Sequence, residues 1–160
     1  MSQPSNQIQS TYDNQYNIEN SEWRYLGGKQ KSRNIIRLCK EADKSNVIDI
    51  GSGDGAVIFW LDKLNFSENI SSIEISDSGI EAIKARNLKS IKEIKKFDGY
   101  QIPYSDKIFN LALCSHVIEH VEHPRILLRE IARVSELQYF EVPIDFSFFV
   151  DRKIKHYLNY

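Results

Sequence analysis

A strand-like run followed by a glycine-rich turn constrains the fold of this chain more than any other feature. The β-branched run Val47 to Ile50 leads directly into a turn that contains Gly51, Gly53 and Gly55. An apolar stretch of helical length, Ala56 to Leu64, follows. Glycines let the backbone turn tightly, and the N–H groups at a helix N-terminus favour bound ligands. The segment therefore predicts a strand, a ligand-binding turn and a helix.

The rest of the chain alternates between strand-like and helix-like segments. Further strands are predicted at Ser71 to Ile75, Ile91 to Phe97, Phe109 to Cys114 and Gln138 to Val142. Helices are predicted after a loop at Gly27-Gly28, after a capping box at Ser78 to Glu81, and from Pro124 onward. Strands that alternate with helices form parallel sheets. The chain is predicted to be an α/β protein with a doubly wound, mostly parallel sheet and helices on both faces.

Composition divides the chain into a tail and one domain. Residues 1–20 are rich in Ser, Asn and Gln, so they bury too little apolar surface to order themselves and are predicted to be a flexible N-terminal tail. Residues 21–160 are predicted to form a single domain, because the chain is too short for two of ordinary size.

The net charge and the cysteines limit which classes of partner and which cellular compartment are expected. The formal net charge of -1 does not favour nucleic acid as a partner, and the arginines Arg125, Arg129 and Arg133 are interpreted as a solvated outer face with ion pairs. No apolar run approaches the roughly 20 residues that span a bilayer, so no membrane partner is expected. Cys39 and Cys114 lie in apolar segments that suit buried free thiols, which favours a cytoplasmic location.

Two kinds of ligand fit the glycine turn. The pattern G-x-G-x-x-A ends at Ala56, and Glu74 lies at the distance expected for a residue that binds a ribose, so an NAD-dependent oxidoreductase is one interpretation. Asp49 and Asp54, however, would place carboxylates near the pyrophosphate of a dinucleotide. They suit a ligand that carries an ammonium and a sulfonium, as S-adenosyl-L-methionine does.

Several motifs in order resemble those of the class I S-adenosylmethionine-dependent methyltransferases, from about Trp23 to Asp145. Asp49 with the glycine turn is similar to the family's first motif, whose acid contacts the amino group of the cofactor. Glu74 resembles the acid that binds both ribose hydroxyls. Phe97-Asp98-Gly99 is similar to the stretch that binds the adenine.

The resemblance implies a Rossmann-like fold, S-adenosyl-L-methionine as cofactor, and methyl transfer to an acceptor, with a small molecule favoured. It implies the following cofactor-binding residues: Asp49, Gly51, Ser52, Gly53, Gly55, Glu74, Ile75, Asp98, Gly99 and Ser115. No catalytic residue is predicted, because transfer from a sulfonium depends mainly on orientation and exclusion of water. By location alone, His116, Glu119 or His120 could serve as a base.

The segment His116 to His120 matches the H-x-x-E-H pattern of zinc hydrolases. Such a site needs a sustained helix so that both histidines share one face. Here a strand ends at Cys114 and a helix begins at Pro124, which leaves room for a turn or two. We therefore predict a surface loop and no metal site.

The C-terminal part differs from the family, whose complete members usually carry about two further strands after the fifth. Few residues follow Pro143, so the domain is expected to be C-terminally truncated. This leaves a noncatalytic cofactor-binding fragment or interaction module as an alternative function. The edge of the sheet, with Phe146, Phe148, Phe149 and Val150, is a candidate surface for self-association.

Overall fold

The computed structural model describes residues 21–144. The tail predicted over residues 1–20 and the apolar residues from Phe146 to Val150 lie outside this range. The helices are α1 (Ser21–Leu38), α2 (Ala56–Lys63), α3 (Asp77–Ala85) and α4 (Pro124–Val134). The strands are β1 (Val47–Ile50), β2 (Ile70–Glu74), β3 (Ile91–Lys96), β4 (Phe109–Ser115) and β5 (Ser135–Glu141). Within the described range, no helix is both long and apolar enough to cross a membrane.

The five strands form one parallel sheet in the order β3-β2-β1-β4-β5. The chain winds outward from β1 through β2 to β3, and then crosses to β4 on the other side of β1. This confirms the predicted doubly wound α/β fold. In such sheets the reversal of direction opens a crevice at the carboxyl ends of the two central strands, here β1 and β4, and ligands bind there.

Helices cover both faces of the sheet, as predicted. On one face, Ile35 of α1 packs in a buried cluster with Leu111 of β4. On the other face, Leu127 of α4 packs in a second cluster with Ala112, the next residue along β4. Successive side chains of a strand point to opposite faces, so β4 contributes to both clusters and is buried on both sides.

Gly27 and Gly28 lie inside α1, so the prediction of a loop at these residues was wrong. The close packing of two helices explains why the sequence has a glycine here. A Cβ at Gly28 would lie 2.7 Å from both the carbonyl carbon and the carbonyl oxygen of Ala56, at the start of α2. Gly28 therefore permits a close helix-helix contact instead of a turn.

The two neighbouring glycines offer a matched pair of substitutions. We expect Gly28→Ala to lower the free energy of unfolding by about 1 to 3 kcal/mol, because the added methyl group collides with rigid backbone. A Cβ added at Gly27 would meet no neighbouring atom within 4 Å. Gly27→Ala should therefore raise the free energy of unfolding by roughly 0.5 to 1 kcal/mol through helix propensity alone. Urea unfolding of both variants tests this. Equal effects of the two substitutions would contradict the packing argument.

The starts of two further elements differ from the sequence prediction by two residues or more, whereas the other strand boundaries agree to within one residue. The helix α3 is capped by Ser76, whose Oγ accepts from the amide of Gly79 at 2.9 Å, and not by the box that begins at Ser78. The strand β5 begins at Ser135, directly after α4, and not at Gln138. Both errors arise because short polar segments carry no periodicity that separates a cap or strand end from a loop.

Within the described residues, β5 forms one edge of the sheet. Leu137 and Phe140 on this strand are both exposed. An apolar edge of this kind is open to pairing with another chain. Self-association through this edge stays a prediction.

Candidate functional site

The glycine turn after β1 has a backbone that glycine adopts most readily. Its three glycines have φ angles of 66°, 57° and 75°. A Cβ on Gly51 would also lie 2.7 Å from Cγ2 of Val117, which follows β4. The amides of Gly51 and Ser52 donate to the carbonyl of Ile73 at 2.9 Å and 3.2 Å. The turn is therefore bonded to β2 and packed against the segment after β4.

Asp49 is buried at the base of this turn, with 4% of its surface exposed. Burial raises the pKa of Asp49 to about 7; the nearby Glu74 adds to this, whereas Ser52 and Lys31 oppose it. Near neutral pH the carboxyl group is thus close to its midpoint of ionisation. A cation bound beside it would favour the ionised form.

Glu74, the last residue of β2, connects two turns at the carboxyl edge of the sheet. Its Oε2 accepts from the amide of Gly53 at 2.8 Å, and its Oε1 accepts from the amide of Ser76 at 3.0 Å. Only 3% of the residue is exposed, and burial raises the pKa of its carboxyl group. Gly79 makes room for it, because a Cβ there would lie 2.9 Å from Cγ of Glu74.

Asp98 and Gly99 form a loop after β3. Oδ1 of the exposed Asp98 accepts from the amides of Tyr100 and Gln101, at 2.9 Å and 2.7 Å. Gly99 has a φ of 87°, and a Cβ on it would lie 3.9 Å from the side chain of Ile75. The structure thus places the loop after β3 beside the residue that follows Glu74.

A charged pair on α4 holds the continuation of this loop. Oε2 of Glu130 accepts from the amide of Ile102 at 3.0 Å, while Nη2 of Arg133 donates to the carbonyl of the same residue at 2.9 Å. Nη1 of Arg133 donates to the carbonyl of Tyr104 at 2.8 Å. The bond from Arg133 also holds the pKa of Glu130 below its usual range. Arg133 makes the predicted ion pair, but it positions a loop in addition to facing solvent.

Asp54 is already neutralised by two arginines. Its Oδ2 lies 3.1 Å from Nη2 of Arg86 and 3.4 Å from Nε of Arg24. Nε of Arg86 also donates to the carbonyl of Asp54. The expectation that Asp54 contributes negative charge toward a ligand was therefore wrong, and the charge argument rests on Asp49.

The carboxyl ends of β4 and β5 are joined through Glu141. The hydroxyl of Ser115 donates to its Oε2 at 2.8 Å, and Nδ2 of Asn34 on α1 donates to its Oε1 at 2.7 Å. The amide of His116 donates to its carbonyl at 2.7 Å. Ser115 thus lies at the expected edge of the sheet, with its hydroxyl directed to β5.

The H-x-x-E-H segment forms a short turn instead of a sustained helix. Ile118–His120 is a single 3-10 turn, and His116 before it has a φ of 57°. Oε1 of Glu119 lies 3.8 Å from Nδ1 of His116 and 3.8 Å from Nε2 of His120. Burial, together with Lys31, lowers the pKa of His116. In the part of the chain that the structure describes, no cluster of three or more His, Cys, Asp and Glu side chains could hold a metal ion.

Comparison with known families decides what kind of domain this is. Residues 48–136 match the family model described as a methyltransferase domain. The chain belongs to this family. Membership confirms the resemblance to class I methyltransferases, and S-adenosyl-L-methionine is the methyl donor of that family. The matched residues include the glycine turn, Glu74, Asp98 and the charged pair of Glu130 and Arg133.

Two curated relatives align with the methyltransferase domain. YrhH of Bacillus subtilis (strain 168), whose methyltransferase name is provisional, is 29% identical over 106 residues, which cover 64% of this chain and 59% of that protein. Ajmaline N-methyltransferase of Rauvolfia serpentina is 28% identical over 126 residues, which cover 69% of this chain and 42% of that enzyme. The chain thus spans about half the length of the relatives it matches.

Solved structures share the fold. A protein of Methanococcus maripaludis, provisionally named an S-adenosyl-L-methionine-dependent methyltransferase, superposes with a TM-score of 0.69 at 22% identity, over 94% of this chain and 71% of that one. The N-terminal domain of EvdMO1, solved with SAH bound, superposes with a TM-score of 0.59 at 19% identity, over 71% of this chain and 48% of that one. At these identities the likeness establishes the fold of the methyltransferase domain.

Three residues carry interactions that sequence reasoning did not assign, and two of them, Lys31 and Glu141, lie at this edge. Lys31 lies within electrostatic range of four carboxylates, Glu141 joins β4 to β5 and α1, and Arg133 holds the loop after β3. A lysine in a helix and a glutamate at a strand end are common surface residues, so no local pattern distinguishes them. Only the spacing of Glu130 and Arg133, three apart on a helix, indicates that these two side chains meet.

Proposed function

We propose that this chain binds S-adenosyl-L-methionine across the carboxyl ends of β1, β2 and β3 and transfers its methyl group to a small-molecule acceptor. One observation carries the proposal: in a methyltransferase-family domain, buried Asp49 lies below a left-handed glycine turn that is bonded to buried Glu74. In this proposal Asp49 accepts from the amino group of the cofactor, Glu74 from the ribose hydroxyls, and Asp98 from the adenine amine.

The residues fit such a ligand because they complement its charges and its shape. A buried carboxyl group is an unfavourable neighbour for a pyrophosphate and a favourable one for an ammonium. The glycines carry no side chains, so a ligand can approach the backbone of the turn closely. The buried carboxyl group therefore favours a cationic nucleoside over a dinucleotide.

When bound, the cofactor supplies a methyl group on a sulfonium, whose sulfur leaves as a neutral thioether. The chain's own contribution is to orient the acceptor and to exclude water. The segment after β4 packs on the glycine turn through Val117, which places His116 at the same edge of the sheet. Because its pKa is lowered, His116 is mostly neutral near pH 7, the form that accepts a proton from an acceptor that must lose one.

The proposal also includes a small molecule as methyl acceptor and a cytoplasmic location. The relative from Rauvolfia serpentina is an ajmaline N-methyltransferase, which supports a small molecule as acceptor. The formal net charge of -1 gives no electrostatic reason for a nucleic acid. Cys39 and Cys114 are both free and buried, which supports a reducing compartment.

Calorimetry with three ligands tests the proposal. We expect S-adenosyl-L-methionine and its demethylated product to bind, and NAD to show no heat of binding. Mass spectrometry of a panel of small amines, phenols and thiols, incubated with the methyl donor, then tests for transfer. Binding of NAD without binding of the methyl donor would overturn the proposed function. Tight binding of the methyl donor with no transfer to any acceptor would favour the noncatalytic alternative.

A further inference from the structure

The loop after β3 is held at both of its ends. Residues 98–101 lie between Phe97 and Ile102, and both of these side chains are buried in the cluster that contains Leu127 of α4. At the first end, the amide of Phe97 donates to the carbonyl of Glu74 at 3.2 Å, which continues the pairing of β3 with β2. The sheet therefore fixes the start of the loop, and the contacts of Ile102 fix its end.

The charged pair of Glu130 and Arg133 holds the main chain of Ile102. Glu130 accepts from its amide and Arg133 donates to its carbonyl, so α4 satisfies both main-chain polar groups of this buried residue. Nε and Nη2 of Arg133 each donate to one oxygen of Glu130 at 2.7 Å. This two-bond geometry fixes the direction of the guanidinium as well as its distance. The charged pair therefore sets the position at which the loop ends.

Carboxylates accept from three successive amides of this loop. Oδ1 of Asp98 accepts from Tyr100 and Gln101, and Glu130 accepts from Ile102. Oδ2 of Asp98 makes no hydrogen bond to the part of the chain that the structure describes, so it is the oxygen that remains for a ligand. Because the amides that orient Asp98 directly precede Ile102, a shift of Ile102 also turns the carboxylate of Asp98.

We propose that Glu130 and Arg133 are positioning residues that set the preference of this chain for adenine in its methyl donor. The inference rests on the proposed function, in which Asp98 accepts from the adenine amine. A hydrogen bond weakens steeply as its length and angle depart from the optimum. Without the charged pair, residues 98–101 adopt more than one conformation, and only a fraction of the molecules presents Oδ2 of Asp98 to the amine. The observed affinity for adenine falls by that fraction.

Two ligands that differ at C6 of the purine test the assignment. S-adenosylhomocysteine has an amine there, and S-inosylhomocysteine has a carbonyl oxygen, which cannot donate to a carboxylate. By calorimetry well below the melting transition, we expect the natural chain to bind S-adenosylhomocysteine about tenfold to a hundredfold more tightly, the effect of one hydrogen bond to a charged group. In Arg133→Met and in Glu130→Ala this ratio of affinities should fall to about threefold or less, mainly through weaker binding of S-adenosylhomocysteine.

Three variants separate positioning from a general loss of stability. Arg129→Met removes an exposed cation from the same helix and should leave the ratio unchanged. Gly28→Ala should destabilise the chain on the other face of the sheet and should also leave the ratio unchanged. Glu130→Gln retains an oxygen that can accept from the amide of Ile102, so it should keep more of the ratio than Glu130→Ala does.

A double variant shows whether the charged pair acts through Asp98. Asp98→Ala should remove the preference for adenine by itself, and adding Arg133→Met to it should lower the ratio no further. A ratio in Arg133→Met equal to that of the natural chain, or a further loss in the double variant, would overturn the inference. So would a natural chain that binds S-adenosylhomocysteine and S-inosylhomocysteine equally well. If the natural chain binds neither S-adenosyl-L-methionine nor S-adenosylhomocysteine, the proposed function itself fails, so the two failures are distinguishable.

Discussion

Replacing Glu74 by alanine should weaken binding of S-adenosylhomocysteine by about 2 to 4 kcal/mol, the range expected when two hydrogen bonds to a carboxylate are lost. The same change should lower the free energy of unfolding by about 1 to 3 kcal/mol. The reason for the second effect is structural: the carboxylate accepts from the amide of Gly53 and from the buried amide of Ser76, which would be left without that acceptor. Calorimetry at a temperature well below the melting transition measures the first effect, and urea unfolding measures the second.

Two variants separate these contributions. Glu81→Ala removes an exposed glutamate of α3 that pairs with Lys84 at the surface, and it should leave both quantities within experimental error. Glu74→Gln keeps one carbonyl oxygen that can accept from the amide of Gly53 or Ser76, but it loses the negative charge. Its affinity for S-adenosylhomocysteine should therefore lie between those of the alanine variant and the natural chain. Normal affinity in Glu74→Ala would remove ribose recognition from this residue.

The affinity for S-adenosyl-L-methionine should rise with pH up to about 7 and then level off, because Asp49 must ionise to bind an ammonium. Burial places the pKa of Asp49 at about 7, above its usual value, so ionising it costs free energy in the ligand-free protein. At pH 5.5 only about one molecule in thirty carries the charge, so binding should be roughly thirtyfold weaker there than at pH 8. Because the pKa of Asp49 is higher in the folded chain than in the unfolded chain, the folded state holds the proton more tightly. Without ligand, the contribution of Asp49 to the free energy of unfolding therefore falls as the pH rises from about 4 through 7.

Asp49→Asn is the matched control for this pH dependence. Asparagine keeps the shape of the side chain but has no group that ionises, so affinity in this variant should be low and nearly independent of pH. Burial also raises the pKa of Glu74, so any slope that remains in the variant is assigned to that residue. A natural chain whose affinity is the same at pH 5.5 and pH 8, in calorimetry corrected for buffer protonation, would contradict the role of Asp49.

The central strands and the glycine turn were predictable because their signals are local. Val47 to Ile50 is a run of four residues that are buried on both faces, and the prediction of β1 matched the structure at both ends. The conformation of the three glycines also follows from the residue type, since glycine alone adopts positive φ without strain. Likewise, Pro124 marked the start of α4 because its ring favours the first helical position.

The errors lie where residue type has more than one structural meaning. Glycine marks a turn in most sequences, yet Gly28 lies in mid-helix because another helix approaches it. Ser76 and Ser78 are both suitable caps, and only the path of the chain out of β2 decides between them. Asp54 has the same charge as Asp49, but its two arginine partners come from α1 and from the residue after α3. Nothing near Asp54 in the sequence indicates those partners.

The sequence by itself therefore determined the doubly wound fold, the glycine turn and the acids near the ends of β1 and β2, because each depends on residues that are close together along the chain. Only the tertiary structure decided the electrostatics of the site. The interactions of Lys31 and Glu141 join elements that are far apart in the sequence, and burial, which sets the pKa of Asp49, depends on the packing of the whole domain. Long-range contacts and desolvation have no local pattern in a sequence, so the charge that a ligand meets at this edge emerges only from the folded chain.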